Sequence, residues 1–381
     1  MIKFSRTLAC ALFLAAPLLT AGEPLPFTAE QHYPVADIRQ PKQNVPVTNV
    51  ILMIGDGMGM HHLFAAWAAN KGRLFIDNCP VTGISKTWCT DRLVTDSAAS
   101  GTAMATGVKT LYGRVAVDPN GKPLDSLIDK AADMGKSTGI VVTCELNDAT
   151  PAAFCANNEK RGNALDIIGN YPESRADFIF GGGAKYFTQR PDGRDIFREM
   201  QGKGYRLAQT RQQLEALPPG KTLAVIAPGN LPEPAKRGDV LRRATQQALD
   251  TLSRNPKGLF LMVEGSKIDK EAHANHLQTM MEEIFDFDRT AGIVLEWAAR
   301  HPGTLVVITA DHNTGSFTLT GGNRETGQIT GIFSTGNHDG VAVPVYAFGA
   351  GSDAFTGIYE NTAIFHKILS AMRAKAATAN R

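Results

Sequence analysis

Three acidic endings and a set of histidines carry the chemistry of this 381-residue chain. Asp56 lies in Gly55-Asp56-Gly57-Met58-Gly59, Glu264 and Asp269 in Glu264-Gly-Ser-Lys-Ile-Asp269, and the third ending is Thr309-Ala-Asp311-His312. Each follows an apolar run of strand length. A single such ending is commonly a cap or a turn; three, with imidazoles attached, point to one shared site. Asp269 and His273 are spaced i, i+4 and share a helix face. With Asp311-His312 they make two carboxylate–imidazole pairs, and His338, in Thr335-Gly-Asn-His338-Asp339-Gly340, adds another ring. Mixed His and Asp ligation suits Zn²⁺, whereas an all-oxygen set suits Mg²⁺. His276 faces the same way as His273 and reads as an outer or exposed residue. His32, His61, His62, His301 and His366 have no comparable context and read as structural or surface residues.

The stretch Val94-Thr-Asp-Ser97-Ala-Ala-Ser-Gly-Thr102 supplies a nucleophile. Ser97 sits among small residues where an extended segment turns into a helix, so a substrate reaches its hydroxyl and the helix's first free N–H groups face a bound anion. A serine hydroxyl is a weak nucleophile until something activates it. Asp96 is the tempting base; its plainer role is the N-cap of a tightly packed helix.

These residues need a scaffold that brings strand ends together. Apolar runs over 49–55, 139–143, 177–180, 222–226, 259–263, 304–309 and 343–348 read as strands buried on both faces. Helical stretches over 124–134, 194–201, 239–254 and 270–300 separate most of them. The alternation predicts an α/β fold: a central, mostly parallel sheet sandwiched between helices in a single large domain. In such a sheet the ligand site lies beyond the carboxyl ends of the strands, where the three acidic endings fall. Asn120-Gly121 predicts a tight turn and a small hairpin aside from the main sheet.

Composition sets the outer limits. Hydrophobic content of 43% and a net charge of +2 describe an ordinary globule and exclude a dedicated nucleic-acid binder, which shows basic clustering. Lys3 and Arg6 precede an apolar run from Leu8 to Leu19 and then Thr20-Ala-Gly-Glu23, the order of a secretory signal too short to span a bilayer. The expected organisation is a signal peptide over 1–22, a polar, proline-bearing arm over 23–47, and a catalytic domain over 48–378. The arm reads equally as a dimer-embracing element or a loose leader. No later segment is apolar enough for a membrane span, so the mature protein is expected in the periplasm or outside the cell. Of the cysteines left after cleavage, Cys79–Cys89 and Cys144–Cys155 are the economical disulfide pairs, with four buried thiols equally permitted.

Taken together, Asp56-Gly-Met-Gly59, Val94-Thr-Asp-Ser-Ala-Ala-Ser-Gly-Thr102, Asp148-Ala-Thr-Pro-Ala-Ala153, Glu264-Gly-Ser-Lys-Ile-Asp269, Thr309-Ala-Asp-His312 and the His338 loop resemble the alkaline phosphatases, in the same order and over most of the mature chain. The resemblance implies a phosphomonoesterase with two Zn²⁺ and one Mg²⁺, acting through a phosphoserine at Ser97 and assembled as a homodimer. One zinc would take Asp269, His273 and His338. The second would take Asp56, Asp311 and His312, with Ser97. The magnesium site would share Asp56 and use Thr150 and Glu264, with Asp148 ordering its water. Arg161, on the helix following Thr150, would grip two phosphate oxygens, and Lys270 would contact phosphate through water. Asp339 departs from the threonine or serine frequent in relatives. The implied partners are small-molecule phosphate monoesters of broad range. A phosphodiesterase or sulfatase of the same superfamily, or a non-catalytic phosphate- or metal-binding relative, are the competing readings. The serine at 97, the arginine at 161 and the complete ligand set argue against them.

Overall fold

The computed structural model describes residues 22–41 and 44–374. Its main sheet has ten strands in the spatial order Gly357–Glu360, Val81–Lys86, Val343–Gly349, Thr304–Thr309, Asn49–Gly55, Leu259–Gly265, Ser137–Glu145, Phe178–Gly182, Thr222–Val225, Arg206–Ala208. Only Val343–Gly349 runs antiparallel to its neighbours. Both faces are apolar because side chains alternate along each strand. Ile51, Met53, Leu261 and Val263 join one buried cluster, while Val50, Leu52, Ile54, Phe260 and Met262 join the other. The α/β sandwich expected from the chain's alternating pattern is the fold observed.

Several boundaries differ for physical reasons. The continuous helix expected over 270–300 is two helices, Lys267–His273 and Leu277–Arg300. Asn275 adopts the left-handed conformation (φ 56°), His276 N–H donates to Glu271 O at 2.9 Å and Asn275 N–H to Ala272 O at 3.0 Å, which is the Schellman closure of a helix end. This break strands His276 at the surface, paired with Glu271 at 3.4 Å, and frees the end of the first helix to face the His338 loop. Arg161 stands in a turn before the helix Ala164–Asn170, not on a helix; its N–H is held by Gly113 O at 2.8 Å.

The expected signal segment lies outside the described residues, apart from Gly22. The described part of the arm docks on its own chain. Leu25–Thr28 pairs antiparallel with Gln328–Ile332, and Tyr33 stacks on Phe75 while its hydroxyl donates to Asp288 at 2.7 Å. The expected local disulfides are not formed: all four cysteines are free and buried. The thiols have other neighbours, Cys89 lying 3.5 Å from an Asp91 oxygen and Cys144 3.6 Å from Glu264 Oε2. The Asn120-Gly121 turn closes a small hairpin whose Val117 bridges Pro123. No helix among the described residues is long and apolar enough to cross a membrane.

Candidate metal centre and nucleophile

Three strand ends deliver the acidic residues to one edge of the sheet. Asp56 directly follows Asn49–Gly55, Glu264 is the penultimate residue of Leu259–Gly265, and Asp311-His312 comes two residues after Thr304–Thr309. Gly57 turns the chain there in the left-handed region (φ 70°), and a Cβ at this position would stand 2.7 Å from Thr314 Oγ1 and 3.0 Å from Asp269 Cα. Only glycine permits that approach. Its N–H donates to Asp311 Oδ1 at 3.0 Å, tying two acidic endings together.

Ser97 is the first residue of the helix Ser97–Thr106, every residue of which is buried. The run of small residues lets this helix press against Ala149–Cys155: a Cβ on Gly101 would meet Ala153 Cβ at 3.4 Å. Asp96 caps the helix, Oδ1 accepting from Ala99 N–H at 3.1 Å. It also does more than a cap, because Oδ2 accepts from Arg161 Nη1 at 3.0 Å. The second Arg161 nitrogen donates to Asp148 Oδ1 at 3.2 Å, and Lys270 Nζ donates to Asp148 Oδ2 at 2.6 Å. Two carboxylates thus fix the guanidinium, and one of them also fixes the lysine. Burial raises the Asp148 carboxyl, but Lys270 and Arg161 outweigh it and the net shift is downward.

The histidines are arranged around the same point. Asp269, His273 and His338 bring one ligand atom each within 4.8 Å of one another, as do Asp56, Asp269 and His312. Asp269 belongs to both sets. Asp311 lies beside the second set, its Oδ2 3.1 Å from His312 Nε2, with Asp56 Oδ1 at 3.6 Å and Ser97 Oγ at 3.2 Å from the same nitrogen. The Thr314 hydroxyl donates to Asp269 Oδ1 at 2.5 Å, so its 3.2 Å contact with His312 Nδ1 assigns the ring proton to Nδ1. The Nε2 lone pair then faces three oxygens.

The electrostatics are those of a cation site. Buried Asp56 Oδ1, Asp311 Oδ2, Glu264 Oε1 and Thr150 Oγ1 have no hydrogen-bond partner, although buried polar atoms are nearly always satisfied. Burial and the neighbouring Asp311 and Asp269 push the Asp56 carboxyl well above the usual range. Burial pushes Glu264 up to about 8. Burial also raises Asp269, but the His273 and His338 imidazoles hold it well below the usual range. His273 Nδ1 and His338 Nδ1 contact the Gly336 and Thr95 carbonyl oxygens at 2.7 and 2.9 Å, which makes both donors. Their Nε2 lone pairs therefore converge. Divalent metals fit this donor set: two mixed imidazole–carboxylate triads and, beside them, hard oxygens from Thr150 and Glu264.

All twelve residues singled out from the sequence gather at this edge. Three contributors were missed there. Thr314 bonds Asp269, Ser100 Oγ donates to the Asp311 carbonyl at 2.6 Å, and Asp339 Oδ2 accepts from Asn313 and Ser316 at 2.6 Å each, locking the His338 loop to the His312 segment. Asp339 had stood out only as a departure from a pattern. Thr314 and Ser100 had no signal beyond lying near ligands. His62, read as structural or surface, is fully buried, its Nδ1 accepting from Gly59 N–H at 3.1 Å.

The chain is similar to known proteins in sequence and in fold. The family model described as alkaline phosphatase matches residues 47–331. Alkaline phosphatase 4 of Bacillus subtilis is 38% identical over 330 residues, covering 82% of this chain and 70% of its own. The solved alkaline phosphatase of the Antarctic bacterium TAB5 superposes with a TM-score of 0.82 at 35% identity, over 86% of this chain and 99% of that one. A histidine-to-aspartate variant of the TAB5 enzyme is described with magnesium bound in its M3 site.

Proposed function

The chain belongs to the alkaline phosphatase family and is a phosphatase, and we propose that it hydrolyses phosphate monoesters through a phosphoserine at Ser97, at a site of two Zn²⁺ and one Mg²⁺. The observation that carries this reading is the placement of Ser97 Oγ 3.2 Å from His312 Nε2, with Arg161 held alongside by Asp96 and Asp148.

Asp269, His273 and His338 would hold one zinc, and Asp56, Asp311 and His312 the other. Asp56, Thr150 and Glu264 would hold magnesium, a reading supported by the magnesium described in the M3 site of the TAB5 variant. The chemistry that bound Zn²⁺ contributes is Lewis acidity toward phosphoryl oxygen and a lowered pKa for a hydroxyl or water. The chain's own residues do the positioning. Arg161 presents a planar fork to two phosphoryl oxygens, a match that favours monoesters over diesters. Asp96 and Asp148 hold that fork in place, so the guanidinium loses little freedom on binding substrate. Ser97 Oγ, giving up its proton, attacks phosphorus as the ester P–O bond breaks, and the alcohol departs on the opposite side carrying a proton; water then attacks the phosphoserine, releasing inorganic phosphate and restoring the hydroxyl. Lys270, anchored on Asp148, places a positive charge beside the product phosphate.

Export through the segment 1–22, residence in the periplasm or outside the cell, and assembly as a homodimer complete the proposal. It is supported by the charged, apolar, small-residue order of the N-terminus and by family membership. The direct test is Ser97→Ala. The variant should bind zinc as the parent does while losing activity by at least about 10³-fold. Full activity in the variant assigns the nucleophile elsewhere.

A further inference from the structure

The cavity that opens onto Ser97 has a volume of about 770 Å³, and one wall of it takes no part in the chemistry above. That wall is Arg92, Leu93, Val94 and Tyr112. Leu93 is 84% exposed, Val94 37% and Tyr112 40%, and Val341, 53% exposed, lies on the adjoining loop, where a Cβ on Gly340 would touch Val94. Contiguous exposed apolar side chains beside a cavity mark a binding surface.

The wall is built rather than loose. Cys89 and Arg92 bridge each other through their backbones, Thr90 N–H donates to Thr110 O at 2.9 Å, and Asp91 Oδ1 accepts from Tyr112 N–H at 2.8 Å. The Arg92 guanidinium lies 4.0 Å from the centre of the Tyr112 ring. A planar group thus meets a preset surface of one alkyl chain, one ring and one guanidinium.

Geometry decides which part of a substrate meets it. Ser97 is 3% exposed at the cavity floor. In-line displacement places the leaving oxygen opposite the attacking one, so the alcohol of a monoester points outward along this wall. Given the monoesterase reading, on which this rests, we propose that Leu93 and Tyr112 form a leaving-group subsite that favours esters of aromatic alcohols over esters of small polyols.

The test measures kcat/KM for 1-naphthyl phosphate and for glycerol 2-phosphate with metal-replete parent, Leu93→Ser and Tyr112→Ser. Aryl and alkyl esters differ in intrinsic reactivity, so the readout is how the naphthyl-to-glycerol ratio changes from parent to variant. Each variant should lower that ratio by about five-fold. An unchanged ratio, or equal losses on both esters, overturns the subsite. So does a variant that turns a dimeric parent into a monomer in sedimentation, because the wall would then be covered by a second copy of the chain. A parent that hydrolyses neither ester overturns the underlying monoesterase reading instead.

Discussion

His273 Nε2 and His338 Nε2 lie 3.0 Å apart, and each ring's other nitrogen is bonded to a backbone carbonyl. With both Nδ1 atoms turned to carbonyl oxygens, the two Nε2 atoms face each other, an arrangement that a bound cation satisfies. Asp269, 3.4 Å from both rings, adds charge of the sign that a cation needs.

Replacing His338 by alanine should therefore weaken zinc retention by at least about 10²-fold, since even residues outside the ligand shell cost that much. Competition with a chelator measures it, in protein whose circular dichroism is unchanged. Zinc retained as tightly as in the parent contradicts the ligand assignment.

Glu264 gives a pH signature in the metal-stripped protein. Burial raises its folded pKa to about 8 from an ordinary 4.5, so the folded state holds the proton more tightly than the unfolded chain. Its contribution to stability is complete below the unfolded value and is lost as pH rises through about 8. Glu264→Gln cannot ionise. The metal-free parent should lose stability relative to this variant between pH 5 and pH 8, by an amount approaching ~1.4 kcal/mol per unit of pH. Parallel urea-unfolding curves across that range would contradict it.

Lys270 is held by Asp148 at 2.6 Å rather than extended into solvent. Burial lowers its pKa, but Asp148 more than offsets this and the ammonium stays charged. Lys270→Ala should weaken inhibition by inorganic phosphate on the order of ten-fold, the scale of one charge-assisted contact, and raise turnover where product release limits it. If inhibition and turnover both stay at parental values, the lysine has no part in holding phosphate.

The strand cores and acidic endings were legible in the sequence because both follow from short-range rules. A strand buried on both faces must be apolar throughout, as Thr304–Thr309 is, and polar residues at its end have nowhere to point but the open edge. What escaped depends on one backbone conformation or on contacts far apart in sequence. The helix break at Asn275 replaces one long helical pattern with two and is specified by a single left-handed residue. The strand Leu25–Thr28 finds its partner about three hundred residues away, and its short polar context carries no alternation. The sequence offers Asp96 as a base or a cap and gives no sign of its second partner, Arg161, which is 65 residues distant. Of the two cysteine alternatives the sequence leaves open, the structure has the four buried thiols, because closeness in sequence does not set where a thiol points.

The proposal that Ser97, Arg161 and the surrounding ligands make a metal-dependent phosphomonoesterase stands or falls on substrate choice. It is tested most directly by assaying metal-replete protein, its metal content measured on the same sample, against an aryl phosphate monoester, the matching diester and the matching sulfate ester. Turnover of the monoester should be far above that of the other two, abolished by chelation and restored by zinc with magnesium. Preference for the diester or the sulfate, or no turnover in protein carrying its full metal complement, would contradict it.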